Sequence, residues 1–135
     1  MKTIHHVILL MFILTLSACV TTAKFPVSTI VPAAEGIATI KKDKNNNYMI
    51  KLNVKYLASP ERLTPPKKYY VAWIATANGT NTNIGMLIPN KKNNATLKCV
   101  TSFKPTLLFV TAEDTGDTTL PGTPEIFRTD NLKLK

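Results

Sequence analysis

Catalysis requires nucleophiles, acids, bases or metal ligands held close together, and this chain of 135 residues has few of them. Its two histidines, His5 and His6, are adjacent near the N-terminus, and its two cysteines are Cys19 and Cys99. The eight carboxylates are Glu35, Asp43, Glu61, Glu113, Asp114, Asp117, Glu125 and Asp130. They cluster once, in Glu113-Asp114-Thr115-Gly116-Asp117. Carboxylates with backbone carbonyls can ligate Ca²⁺. This run lacks the EF-hand spacing and reads better as a strand end followed by a turn whose Asp caps backbone amides. Glu113 and Glu125 would serve as a glycosidase pair only if brought together with one pKa raised, and nothing in the sequence does either. Ser28, Ser59 and Ser102 stand outside any Gly-x-Ser-x-Gly elbow, and the five glycines are scattered, so no phosphate loop forms. The expectation is a protein without catalytic residues, metal site or cofactor.

Cys19 is the residue whose setting does suggest chemistry. Lys2 precedes an uninterrupted apolar run, residues 7–14, and the small residues Ser17 and Ala18 follow it. A run of this length suits the core of a signal peptide and is short for a membrane span, which needs about 20 apolar residues. Leu16-Ser17-Ala18-Cys19 resembles the lipobox of bacterial lipoproteins: Leu, two small residues and Cys directly after the apolar run. The resemblance implies that the Cys19 thiol receives a diacylglycerol, that the chain is cut before it, and that the new amine is acylated. Acyl burial contributes about 0.8 kcal/mol per CH₂, and two or more chains hold where one is marginal. Residues 1–18 are then a signal peptide. Val20, rather than Asp, follows the cysteine. In the Gram-negative lipoproteins that this N-terminus resembles, that implies the periplasmic side of the outer membrane.

Cleavage would leave 117 residues, a formal charge of +8 once Lys2 is gone, and no histidine. Ser-His-Asp catalysis, Cys-His catalysis and imidazole metal sites would all be excluded. Cys99 would be a lone thiol unable to form an intrachain disulfide. It lies in an alternating run, residues 95–100, and reads as a small buried hydrophobe.

Hydrophobic residues make up 44% of the chain and charged residues 19%, the balance of one ordered domain. Residues 19–35, interrupted by Pro26 and Pro32, read as a lipidated tether, of which Phe25–Val31 could pack on the domain. From Gly36 the period is two. Ile37–Ile40 and Tyr48–Tyr56 flank a polar turn as a hairpin, with Tyr48, Ile50, Leu52, Val54 and Tyr56 on one face. Three prolines make residues 58–66 a loop. Tyr69–Thr76 is apolar on both faces, as a central strand requires, so Tyr69, Tyr70 and Trp73 read as core rather than a binding stripe. Strands follow at residues 84–88, 95–100, 106–113 and 125–128. The expectation is all-β: a small antiparallel Ig-like β-sandwich of six or seven strands over residues 36–130, with 131–135 as a tail.

Once these strands are placed, a second resemblance becomes visible across about residues 65–128. Tyr70-Val71-Ala72-Trp73, Gly85-Met86-Leu87, Thr111-Ala112-Glu113 and Pro121-Gly122-Thr123-Pro124 are similar in order and spacing to the extracytoplasmic C-terminal domain of anti-sigma-K factors. The chain departs from that pattern at Thr115-Gly116, where the family often has two glycines, and at Thr123, inserted before Pro124. The resemblance implies a small β-sandwich in the cell envelope. The family's sigma-binding activity belongs to a cytoplasmic domain joined through a transmembrane helix, neither of which this chain shows, so no anti-sigma activity and no binding residues carry over.

The positive functional hint is charge. Lys and Arg total 17 against 8 acids, a formal +9 and a pI near 9.7. Lys41, Lys42, Lys44, Lys51 and Lys55 fall in the first hairpin. They read as solvated, edge-protecting lysines. On a shared face they would instead form a patch for anionic lipid, lipopolysaccharide or acidic cell-wall polymer. Another envelope protein is the remaining partner class. Nucleic acid is disfavoured by the compartment and by the lack of an aromatic-rich basic platform.

Overall fold

The computed structural model describes residues 19–135. The apolar run, both histidines and the first three residues of the lipobox-like motif lie outside the described residues. Eight strands form among those described: β1 (Val20–Lys24), β2 (Glu35–Lys42), β3 (Tyr48–Lys55), β4 (Tyr69–Ala75), β5 (Asn81–Leu87), β6 (Ala95–Thr101), β7 (Leu107–Glu113) and β8 (Glu125–Arg128). Every pairing is antiparallel. One sheet has the order β1-β2-β3-β6 and the other β5-β4-β7-β8. The chain changes sheet after β3, after β5 and after β6. This connectivity places β3 beside β6 and β4 beside β7, the Greek-key arrangement of an Ig-like sandwich.

Side-chain alternation assigns the layers. In β3, Tyr48, Ile50, Leu52 and Val54 are buried while Met49, Lys51 and Lys55 face out. The buried set packs against Tyr70, Ala72 and Ile74 of β4 and Leu108, Val110 and Ala112 of β7. Tyr56, expected as the fifth inward residue, is exposed instead and has φ +55°. The strand ends at Lys55, and the left-handed backbone at Tyr56 turns the side chain away from the core.

Strands β4 and β7 are buried on both faces. Val71, Trp73 and Phe109 form a second apolar cluster on the outer side of their sheet. The Trp73 and Phe109 rings stack with centroids 6.1 Å apart. The Arg128 guanidinium lies 4.6 Å from the Phe109 ring centre and donates to both Glu125 carboxylate oxygens, at 2.8 and 2.7 Å. The β7–β8 loop, residues 114–124, is tied to this face. Asn83 Nδ2 donates to the Gly116 and Thr118 carbonyls, each at 3.0 Å.

The expected tether is corrected. Val20–Lys24 pairs along its whole length with β2, from Val20↔Lys41 to Lys24↔Ile37. Phe25 is buried and packs on Phe127 with ring centres 5.2 Å apart. A Cβ on Gly36 would sit 2.6 Å from the Phe25 ring, so only glycine lets the ring lie flush on β2. Pro26 and Pro32 do not prevent this, because both lie in the β1–β2 connection rather than in a ladder. The tail is corrected as well: the Leu132 amide donates to the Thr106 carbonyl at 2.7 Å, and Leu132 and Leu134 pack on the core.

Two outcomes follow from this packing. Phe25→Ala should cost about 3–4 kcal/mol in urea denaturation, whereas truncating an unpacked side chain there would cost nothing. Tyr70 is buried, its hydroxyl donates to the Ala58 carbonyl at 2.7 Å, and burial pushes its pKa from 10.0 up to about 12. The unfolded chain ionises first, so this contribution is complete below pH 10 and is lost between about pH 10 and pH 12. Tyr70→Phe should lower stability by about 1–2 kcal/mol near neutrality and flatten that alkaline decline in thermal melts.

Candidate functional site

The acidic cluster is structural. The Glu113 carboxylate is buried; its Oε1 accepts from the Thr111 hydroxyl at 2.5 Å and from the Gly122 amide at 2.6 Å. The Thr111 oxygen in turn accepts the Trp73 indole N–H at 2.8 Å. A Cβ on Gly122 would fall 2.6 Å from Glu113 Oε2, so the loop can close on the carboxylate only through glycine. Asp114 pairs with Lys67 at 3.3 Å, Asp117 is exposed in the loop, and Glu125 is held by Arg128. Among the described residues, no group of three or more His, Cys, Asp or Glu gathers to hold a metal ion. Trp73, Thr111, Glu113 and Gly122, remote in sequence, thus join in one hydrogen-bonded network. Tyr70 faces the main core, Trp73 is fully buried and Tyr69 is partly exposed, so the three do not form a stripe. Cys99 is partly buried against the core, and desolvation pushes its thiol pKa up.

What remains open is the outer face of the β1-β2-β3-β6 sheet. The register lays its outward residues in rows. Val20, Lys41, Met49 and Val100 are successive cross-strand neighbours, as are Thr22, Thr39, Lys51 and Lys98 in the next row, then Lys24, Ile37, Asn53 and Thr96. Four strands span about 14 Å. A groove of about 490 Å³ lies on this face, with Lys41, Met49, Lys51, Lys98 and Val100 among its lining residues. The floor is apolar and the rim cationic.

The structure divides the five hairpin lysines. Lys41 and Lys51 share the outer face and the groove. Lys42 has the opposite parity, at the end of β2, where its ammonium stands 5.9 Å from the Tyr48 ring centre. Lys44 sits in the β2–β3 turn. Asp43 Oδ1 organises that turn, accepting the Asn45 and Asn47 amides at 2.8 and 2.9 Å. These hydrogen bonds hold the Asp43 carboxyl below its usual pKa. Lys55 lies at the far end of β3, about 20 Å from the Met49 row, and is paired across the sheet with Glu35. Lys24 and Lys98 join the face and were missed. They could have been found from the alternation of residues 95–100, but only once β6 was known to lie beside β3 and residues 20–24 to form a strand.

No family model matches the sequence, and a search of curated proteins finds no match. Among the described residues no helix is long and apolar enough to cross a membrane.

Lys51 and Lys98 stand directly opposite one another. Like charges in that position oppose pairing by a few tenths of a kcal/mol. Lys98→Glu should therefore raise the melting temperature at low salt, and added salt should erase the gain.

Proposed function

We propose that this chain is a lipid-anchored protein of the bacterial cell envelope, whose β-sandwich is a non-catalytic binding or structural module. The observation that carries the reading is Cys19. It closes a Leu-Ser-Ala-Cys motif after an apolar run, and its side chain is exposed one residue ahead of β1. Transfer of a diacylglycerol to a thiol needs an accessible sulfur, and the exposure of Cys19 supports the reading. The engagement of Glu113, Asp114 and Glu125 in structural contacts supports a role other than catalysis. In a Gram-negative host the protein would face the periplasm from the outer membrane. The anti-sigma-K resemblance supports the location and the fold only, because a domain outside the membrane cannot hold a cytoplasmic sigma factor.

Metabolic labelling with a palmitate analogue tests the anchor. The wild-type protein should label and Cys19→Ala should not, with mass spectrometry placing the mature N-terminus at residue 19. Equal labelling of both, or an intact Met1 on an unmodified chain, overturns the reading.

A further inference from the structure

We infer that the end of the sandwich where β1 begins docks on an anionic phospholipid bilayer, so that the domain lies against the membrane in one orientation instead of swinging from its anchor. The inference rests on the lipid-anchored reading and specifies what the anchored domain touches.

The first support is length. Val20 is already paired with Lys41, so no free linker separates Cys19 from the sheet. One Cα–Cα step of about 3.8 Å keeps this end of the sandwich at the bilayer surface. The second is the chemistry displayed there. In the outward row nearest Cys19, Val20, Met49 and Val100 are 50%, 46% and 64% exposed. Phe103, in the turn that follows β6 at the same end, is 56% exposed. At this end Lys41 and Lys42 finish β2, Lys44 lies in the turn that follows, and the exposed Lys104 follows Phe103. Two acids lie at this end: Asp43, whose carboxylate already accepts two backbone amides of its own turn, and Asp130, which lines a groove with Thr21–Lys24.

Exposed apolar side chains alternating with ammonium groups match the boundary of a bilayer, where the former enter the acyl region and the latter meet lipid phosphates. An acidic polymer would call for the lysines alone and would leave Phe103, Val100 and Met49 without a role. The far end, where Glu35 faces Lys55, also exposes Tyr56 and Ile88, at 59% and 68%, but it lies the length of the sheet away from Cys19.

The experiment uses protein purified with its lipid and reconstituted into vesicles of phosphatidylcholine, with or without phosphatidylglycerol. Acetylation of each lysine is followed by mass spectrometry. On the anionic vesicles Lys41, Lys42, Lys44 and Lys104 should react at least about fivefold more slowly than in detergent. Lys55, Lys91 and Lys92 should be unchanged, and salt should reduce the protection. Uniform rates, or protection centred on Lys55, overturn the inference. Equal protection by a soluble acidic polysaccharide overturns it too, in favour of a polyanion site. In a second arm, the unlipidated Cys19→Ala protein should cosediment weakly with anionic vesicles. Changing Lys41, Lys44 and Lys104 together to Gln should weaken that binding about a hundredfold. Absence of lipid on wild-type Cys19 would refute the anchored reading by itself, while this second arm still decides whether the surface binds a bilayer.

Discussion

Strands β4 and β7 carry apolar side chains on both faces, and the arrangement of the domain follows from the need to bury both. The inner set, including Tyr70, Ile74, Leu108 and Val110, is covered by the opposing sheet. The outer set, Val71, Trp73 and Phe109, needs a separate cover, which the chain supplies from its own β7–β8 loop and from Arg128. The loop is held by a buried carboxylate. Glu113 accepts the Gly122 amide and the Thr111 hydroxyl, and Thr111 accepts the indole N–H of Trp73. A buried carboxylate is tolerated only when its lone pairs are engaged. The network that closes the loop is therefore the same network that makes burial of Glu113 and Trp73 affordable.

This makes the two outer faces unequal. The β5-β4-β7-β8 sheet is sealed by its own loop, whereas the β1-β2-β3-β6 sheet presents its outer side to solvent, with lysines interleaved among Met49, Val100, Ile37 and Val20. Opposed lysines at positions 51 and 98 add mutual repulsion that folding alone does not require. That face also begins beside the exposed Cys19. At that end lysines and exposed apolar side chains stand one residue from Cys19, with no linker between.

Much of the architecture was legible from local chemistry. Period-two alternation in Tyr48–Val54 marks a strand with one wet side, and the doubly apolar Tyr70–Ile74 marks a central one. Asp43 and Asn90 each accept two amides of a five-residue turn, Asn45 and Asn47 in one case and Lys92 and Asn94 in the other. Such turns are encoded within their own few residues. Strand β1 was not legible. Val-Thr-Thr-Ala-Lys has no apolar face of its own, and it is a strand because β2 offers an unpaired edge and Phe25 fits into the space left by Gly36. The two prolines that marked this stretch as a tether fall in the connection that follows.

The amino-acid sequence by itself determined the all-β character, the places of seven strands, the scarcity of catalytic groups and the motif around Cys19. These depend on the order of neighbouring residues, which alternation and turn chemistry read directly. Tertiary structure decided which strands are neighbours. It separated Lys55 from Lys41 and Lys51, joined Lys98 to them, buried Glu113 against Gly122 and pulled residues 20–24 into a sheet. Those outcomes depend on contacts between segments remote in sequence, and pairing free energies of that kind leave no local periodic signature.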